Sequence, residues 1–305
     1  ALKRYSQWDF ISLVGEYQIA WHEKTLGQLF CDGSSKQVIA MLRAEMDKAG
    51  ARLQLETSVT GVRKVDARFV LTLDGAMTGE VSCDRLVLAT GGLSIPKMGA
   101  TGFAYGLARQ FGLDLVPTRA GLVPFVFDEQ ALAGFKPLAG VACEVEARCN
   151  EAAFAEAMLF THRGLSGPAI LQVSSFWREG DPVSVHLLPG TDLFGALRDA
   201  RAAAGKRDIA TVLADLFPKR LGQFLAADAG VTGNIADFSD KRLRALCDRL
   251  EDWQLVPSGT EGYRTAEVTV GGVSTAFVLT GQAANAQMQN AAQIVVPQAQ
   301  VQQGF

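Results

Sequence analysis

Two small-residue loops are the first features of this sequence whose residue types suggest chemistry. An apolar run over residues 86–89 ends in Thr90, Gly91 and Gly92. Glycine lets a ligand approach backbone amide groups, and ligands of open α/β sheets bind at the carboxyl ends of such strands. A second loop over residues 99–102 leads into a predicted helix, whose first amide groups favour anions. The loops predict an approach for a ligand's phosphate, with an ordinary Gly-Gly turn as the alternative.

A loop over residues 161–168 contains the residue types of a catalytic site, namely His162, Arg163 and Ser166. No acidic residue is placed to orient His162, and the sequence has no G-x-S-x-G elbow, so a hydrolase triad is not predicted. The alternative is a structured turn in which Ser166 caps a helix that begins at Pro168.

Other polar residues give weaker indications. His22 and Glu23 are adjacent, but neighbours on a strand face opposite sides, which argues against a simple imidazole–carboxylate pair. Arg264 could contact an anion, although a surface turn is the alternative. The three histidines are scattered along the chain, and no metal site is predicted.

The overall composition is that of a globular protein. Of 305 residues, 48% are hydrophobic and 20% are charged, which favours two domains or one domain with an insertion. No apolar run approaches the length of a membrane span, and no signal peptide is predicted, so we expect a cytoplasmic protein. Five cysteines without C-x-x-C spacing predict reduced thiols rather than disulfides or a zinc site.

The charge balance bears on the partner. The chain has 29 basic and 32 acidic residues, a net charge of -3, so we do not expect nucleic acid as the main ligand. A small-molecule substrate of unknown kind is the expectation.

Hydrophobic periodicity and turn residues predict the elements that position these loops. The apolar run over residues 86–89 is typical of a strand buried on both faces. Helices are predicted over residues 8–14, 37–46, 103–111, 169–173, 193–204, 209–216 and 240–250, and strands over residues 52–57, 69–75, 80–83, 86–89, 122–127, 141–147, 182–188 and 266–270.

The order of these elements predicts four segments. Residues 1–113 alternate helix and strand, and residues 253–275 return to strand. Between them, residues 114–252 form a predicted insert, rich in strands over 114–190 and helical over 191–252. Residues 276–305 contain no charged residue and eight glutamines, which predicts a poorly ordered tail.

Six motifs together resemble a known family. Residues 7–10, 21–31, 89–96, 118–125, 160–168 and 259–273 closely resemble the BaiN/RdsA-type NAD(P)/FAD-dependent oxidoreductases, also labelled the aminoacetone oxidase family. The resemblance covers about residues 1–275. It implies an α/β fold, in which a partial FAD-binding domain of the glutathione-reductase type is interrupted by an insert domain that is β-barrel-like plus helical.

The resemblance also implies FAD as the cofactor, with NAD(P)H as a candidate reductant. The strand around Val59 would offer backbone groups to the adenine. Ala89, Thr90, Gly91 and Gly92 would lie near the pyrophosphate and ribose, and Gly99, Thr101, Gly102, Gly271, Gly272 and Val273 would approach the flavin. No catalytic side chain is implied, because flavin carries the hydride chemistry.

The sequence departs from the family at both ends. It contains no G-x-G-x-x-G between a strand and a helix, and an uncharged tail follows the Gly271-Gly272-Val273 strand where the family has a flavin loop. We therefore expect a truncated form that binds FAD weakly or not at all. The function hypotheses are an FAD-dependent oxidoreductase or a truncated form of one, a catalytically inert remnant, and an interaction scaffold.

Overall fold

The computed structural model of the chain describes residues 4–24, 27–99 and 101–274. These residues form a mixed α/β fold, as predicted. They divide into two compact units, of which the first ends at Ala89 and the second begins at Thr90. The predicted tail over residues 276–305 lies outside the described residues, and the predicted domain boundaries at residues 113 and 252 stay predictions.

The amino-terminal unit combines two helices with two small antiparallel sheets. Its elements are α1 (Gln7–Glu16), β1 (Trp21–Glu23), β2 (Leu29–Cys31), α2 (Lys36–Lys48), β3 (Thr57–Val65), β4 (Arg68–Gly75) and β5 (Gly79–Cys83). β1 pairs with β2, and the other strands follow the order β3-β4-β5. The predicted helices and the predicted hairpin over residues 69–83 are confirmed. Helix α1 begins at a capping box in which Ser6 and Asp9 each accept a hydrogen bond from the other's backbone amide.

Two predicted strands of this unit are wrong. Residues 52–56 and 85–89 adopt no helix or strand. The run over residues 86–89 was expected to be buried on both faces, yet Val87 is 44% exposed and Leu88 is 37% exposed. A strand needs a hydrogen-bonding neighbour, and neither segment pairs with another strand within the described residues.

The second unit contains the remaining elements. They are α3 (Phe103–Gln110), β6 (Leu115–Gly121), β7 (Phe125–Val126), α4 (Glu129–Phe135), β8 (Ala142–Cys149), β9 (Ala152–Phe160), β10 (Gly164–Ser166), α5 (Pro168–Ser174), β11 (Val183–Leu187), α6 (Leu193–Ala204), α7 (Ile209–Leu216), α8 (Lys219–Asp228), α9 (Asp240–Glu251), β12 (Trp253–Leu255), β13 (Gly259–Thr260) and β14 (Val268–Val273). A seven-stranded antiparallel sheet has the order β12-β11-β8-β9-β10-β7-β13, and β14 pairs with β6.

One hydrophobic core joins the sheet to the helices of this unit. Strand β8 buries alternate side chains, which is the pattern of a strand with one face on a core. Phe135 lies at its aromatic centre, with the rings of Phe160, Phe224 and Trp253 in edge-to-face contact at centroid distances of 5.5–6.0 Å. The strand-rich and helical parts of the predicted insert therefore pack as one body.

Local sequence features explain the differences from prediction in the second unit. Helix α8 was missed because Pro218, taken as a stop for α7, also stands at the N-cap of α8. The strand predicted over residues 122–127 shortens to β7, because Leu122 has a φ of 46° and Pro124 supplies no amide hydrogen. Ser166 lies in β10 and does not cap α5, whose N-cap is Gly167.

Candidate functional site

The loop over residues 90–95 presents unpaired polar groups. The hydroxyl oxygen of Thr90 is buried and has no hydrogen-bond partner among the described residues. The amide groups of Gly91 and Gly92 also lack a partner within residues 4–24, 27–99 and 101–274. Apart from the two chain neighbours, no atom of the described residues lies within 4 Å of the position that a Cβ atom on Gly91 would take, so this side of the loop is open among them. Buried polar groups are normally satisfied, so the loop is suited to a ligand that carries acceptor oxygens.

Thr269 of β14 holds the loop in place. Its hydroxyl oxygen accepts hydrogen bonds from the amide nitrogens of Leu93 at 2.8 Å and Ser94 at 3.1 Å. These two bonds occupy both lone pairs, so the Thr269 hydroxyl donates its hydrogen to Oγ of Ser94, 2.9 Å away. The Ser94 hydroxyl keeps its own hydrogen for another acceptor.

The backbone of the loop is both close to β14 and strained. A Cβ atom on Gly92 would lie 2.4 Å from Oγ1 of Thr269, so glycine is required by the close approach. Ile95 adopts a left-handed φ of 52°, which is uncommon for a β-branched residue, and donates its amide hydrogen to the carbonyl of Tyr263 at 3.0 Å. Such strain costs on the order of 1–3 kcal/mol and concentrates at binding sites.

Strand β14 carries a bulge that brings it to α3. The register with β6 shifts between Val270 and Gly272, and Gly271 has a φ of 88°. A Cβ atom on Gly272 would lie 3.5 Å from the ring of Tyr105 in α3. Burial raises the pKa of Tyr105, and the neighbouring Tyr263 raises it further. The loop, the bulge and α3 therefore converge in the second unit.

The structure brings most of the predicted cofactor residues to these elements. Gly99 ends a short turn of 3-10 helix over residues 96–98, and Gly102 is the N-cap of α3. The hydroxyl of Thr101 accepts a hydrogen bond from the amide of Phe103 at 3.3 Å. Val273 pairs with Leu115 in β6.

Two predicted cofactor residues belong to the amino-terminal unit. Val59 lies in β3 opposite Leu73, next to a shift in the strand register. Ala89 is exposed and does not end a strand, contrary to the prediction. Their roles toward a cofactor stay predictions.

Several residues that surround the loop were not predicted from the sequence. Thr269, Ser94, Tyr105 and Tyr263 gave no local signal except that Thr269 stands two residues before the Gly-Gly pair. The carboxylate beside His22 was also missed. Nδ1 of His22 lies 2.6 Å from Oδ1 of Asp32, whereas Glu23 occupies the next strand position, in agreement with the argument against a His22–Glu23 pair.

The second predicted chemical loop forms a structured turn. The hydroxyl of Thr161 accepts hydrogen bonds from the amides of Arg163 and Gly164. His162 is exposed, and Nε of Arg163 lies 3.7 Å from a carboxylate oxygen of Glu261. The turn alternative is favoured over a catalytic triad, although Ser166 is not the cap.

The described residues give no indication of a metal site or a disulfide. Within them, no group of three or more His, Cys, Asp and Glu side chains could hold a metal ion. The five cysteines are free, and four of them are buried. None of the helices described here has the length and hydropathy to cross a membrane.

Part of the chain matches a known protein family. Residues 119–268 match a family model described as the HI0933-like protein barrel and H2TH domain. The match spans the seven-stranded sheet and helices α4 to α9, so the predicted fold, with a barrel-like and helical insert, is confirmed.

Three curated relatives resemble most of the chain. It is 49% identical to the ribosomal RNA dihydrouridine synthase of Escherichia coli, over 90% of this chain and 68% of that protein. It is 42% identical to the protein of the same name from Haemophilus influenzae, over 91% of this chain and 70% of that protein. A 3-dehydro-bile acid delta(4,6)-reductase of Clostridium scindens is 26% identical, over 79% of this chain and 61% of that protein. None of the three is named an aminoacetone oxidase, and none supports the inert alternative.

Proposed function

Because the chain belongs to the HI0933-like family of FAD-dependent oxidoreductases, we propose that it acts as a flavin-dependent reductase of uridine in ribosomal RNA. The observation that carries the proposal is the 49% identity with the Escherichia coli ribosomal RNA dihydrouridine synthase over 90% of the chain. The relative from Haemophilus influenzae, which has the same name, supports it independently.

The proposed reaction adds one hydride and one proton across a carbon–carbon double bond of the uracil ring. Bound reduced flavin supplies the hydride with its two electrons. The protein then has to hold the cofactor, place the base against it and exclude water. A cofactor site made mainly of backbone amides and hydroxyls is compatible with this division of work.

The loop over residues 90–95 fits the phosphate-bearing part of FAD. Its unpaired Thr90 hydroxyl and the free amides of Gly91 and Gly92 are donors without a partner among the described residues. We propose that they bind the pyrophosphate and ribose, and that the bulge at Gly271 and Gly272 faces the flavin. NAD(P)H as the reductant stays a prediction.

An RNA substrate differs from the expectation drawn from the net charge of -3. Net charge sums the whole surface, whereas phosphate recognition depends on local groups of cations. The expectations of a small-molecule substrate and of weak FAD binding stay untested, and the experiment addresses both.

The test has two steps. FAD is first titrated into the purified chain and followed by quenching of flavin fluorescence, with Thr90→Val as the variant that removes the unpaired hydroxyl. Dithionite then reduces the complex at a saturating FAD concentration, and ribosomal RNA without dihydrouridine is added. Nucleoside mass spectrometry should detect dihydrouridine, and a reaction without protein is the control. Absence of dihydrouridine in the presence of bound FAD would contradict the proposal.

A further inference from the structure

A group of arginines surrounds one carboxylate where α6 packs against α9. Arg201 of α6 donates a hydrogen bond to Oδ1 of Asp240 at 2.5 Å, and Nε of Arg198 lies 3.8 Å from Oδ2. The hydrogen bond from Arg201 lowers the pKa of Asp240, and the positive charges of Arg201, Arg198 and Arg244 lower it further. We call Arg198, Arg201 and Arg244 the arginine cluster. Arg198 and Arg201 pair with this carboxylate, and Arg244 lies near enough for its charge to act on it.

The members of the cluster differ in what they do for the fold. Arg201 is 25% exposed and also donates a hydrogen bond to the carbonyl of Phe238 at 2.6 Å, so it ties α6 to the start of α9. Arg198 is 55% exposed, and Arg244 is exposed without a salt bridge to any carboxylate of the described residues. Arg198 and Arg244 are therefore available to a partner.

An aromatic ring supports the two available arginines. The guanidinium carbon of Arg244 lies 3.6 Å from the ring centroid of Phe194, and that of Arg198 lies 5.7 Å from it. A cation near the face of a ring is attracted to it, and neither guanidinium donates a hydrogen bond to the described residues. A planar group held in this way can donate two parallel hydrogen bonds to a phosphate.

The stability of α9 accounts for only part of this positive charge. Lys241 and Arg242 lie in the first turn of the helix, where the helix dipole disfavours cations, whereas Arg244 stands four residues after Asp240, a spacing at which opposite charges attract. In the stretches 194–201 and 237–244, five basic residues stand against three acidic ones. The positive charge therefore points to an external anion.

We infer that the arginine cluster binds phosphodiester groups of an RNA backbone. The identity of the partner as RNA rests on the proposed function, while the phosphodiester chemistry rests on the cluster itself. Contacts of this kind position a nucleic acid without reading its sequence. Arg198 and Arg244 contact the phosphates, and Arg201 and Asp240 position them.

The test compares two double variants that remove the same charge from the helices of the second unit. Arg198→Gln with Arg244→Gln removes the two available arginines. Arg220→Gln with Arg249→Gln is the matched control, because Arg220 donates to the carbonyl of Pro137 and Arg249 pairs with Asp228. Circular dichroism verifies that both variants are folded.

Affinity for a fluorescent RNA stem-loop is measured by anisotropy over a range of salt concentrations. A slope of about −0.9 per phosphate contact makes each contact worth roughly 8-fold in affinity at 0.1 M salt. We therefore expect the cluster variant to bind roughly 60-fold more weakly than the unchanged chain, with a salt slope smaller by about 2. The control should stay within about 3-fold of the unchanged chain.

Unchanged affinity in the cluster variant, or an equal loss in the control, would overturn the inference. A DNA stem-loop of the same sequence should also bind the cluster variant more weakly, because the cluster contacts phosphodiester groups, and an unchanged DNA affinity would overturn the phosphodiester assignment. The readout does not require catalysis. RNA binding through the cluster without dihydrouridine formation would refute the proposed function alone. Dihydrouridine formation together with an unchanged RNA affinity of the cluster variant would refute this inference alone.

Discussion

The hydroxyl oxygen of Thr269 lies 2.8 Å from the amide nitrogen of Leu93, a hydrogen bond that joins residues 176 positions apart in the sequence. Through this bond, and through Ser94, strand β14 fixes the loop that carries Thr90, Gly91 and Gly92. The proposed cofactor loop therefore depends on one side chain outside it.

Replacing Thr269 by valine should loosen the loop. The change keeps the shape of the side chain but leaves the partly buried amides of Leu93 and Ser94 without an acceptor, which costs about 1–3 kcal/mol. Urea unfolding followed by circular dichroism measures the loss. Thr269→Ser keeps the hydroxyl and should cost only about 0.8 kcal/mol for the missing methyl group. Equal losses in the two variants would show that the hydrogen bonds do not matter.

Replacing Gly92 by alanine should displace the same loop. The new Cβ atom would lie 2.4 Å from Oγ1 of Thr269, and overpacking of this kind costs about 1–3 kcal/mol. Gly106→Ala in α3 is the control, because no described atom outside the helix's own backbone lies within 4 Å of its Cβ position and alanine favours a helix by about 1 kcal/mol. Gly92→Ala should therefore lower the midpoint temperature of thermal unfolding, and Gly106→Ala should raise it. An unchanged midpoint in Gly92→Ala would contradict the close approach between Gly92 and Thr269.

Replacing Gly222 by alanine should destabilise the helical part of the second unit. Helices α7 and α8 approach so closely there that the new Cβ atom would lie 2.5 Å from the backbone nitrogen of Ala214. Alanine normally stabilises a helix relative to glycine, so a loss of about 1–3 kcal/mol reverses the usual sign. Denaturant unfolding measures this loss, and a variant more stable than the unchanged chain would exclude the close approach of Gly222 to Ala214.

Two buried thiols should make the protein less stable in alkali. Burial raises the pKa of Cys143 and of Cys247 from 9.0 to about 11. Because both pKa values are higher in the folded state than in the unfolded state, the folded state holds the thiol protons more tightly. The contribution of the two thiols to the free energy of unfolding is therefore present below pH 9 and is lost as the pH rises to about 11. The decline reaches up to about 1.4 kcal/mol per pH unit for each thiol.

Unfolding free energies measured from pH 8 to pH 11 in the Cys143→Ala, Cys247→Ala double variant check this cause. Other groups also titrate in alkali, so the comparison is between slopes. The variant should lose stability less steeply with pH than the unchanged chain, although it starts from a lower value because of the cavities. Identical slopes would assign the decline to other groups.

Helices with a regular apolar face were predictable because their signals are local. Helices α6 and α7 have the bounds expected from periodicity and from their flanking residues, and α9 extends one residue past its predicted end. The conformation of residues 86–89 was not predictable in the same way, because an apolar run becomes a strand only if another strand pairs with it. The pairing of His22 with Asp32 rather than with Glu23 likewise depends on how the chain turns between β1 and β2.

The sequence by itself determined most helices and the glycine-rich segments of the candidate site, because periodicity and turn residues act over short distances, and its resemblance to a known family implied the fold class. Only the tertiary structure decided that Thr269 anchors the loop, that the Thr90 hydroxyl has no partner among the described residues and that the arginine cluster gathers around Asp240. These relationships join residues far apart in the chain. Hydrogen bonds and charges depend on distance in space, which sequence separation does not reveal.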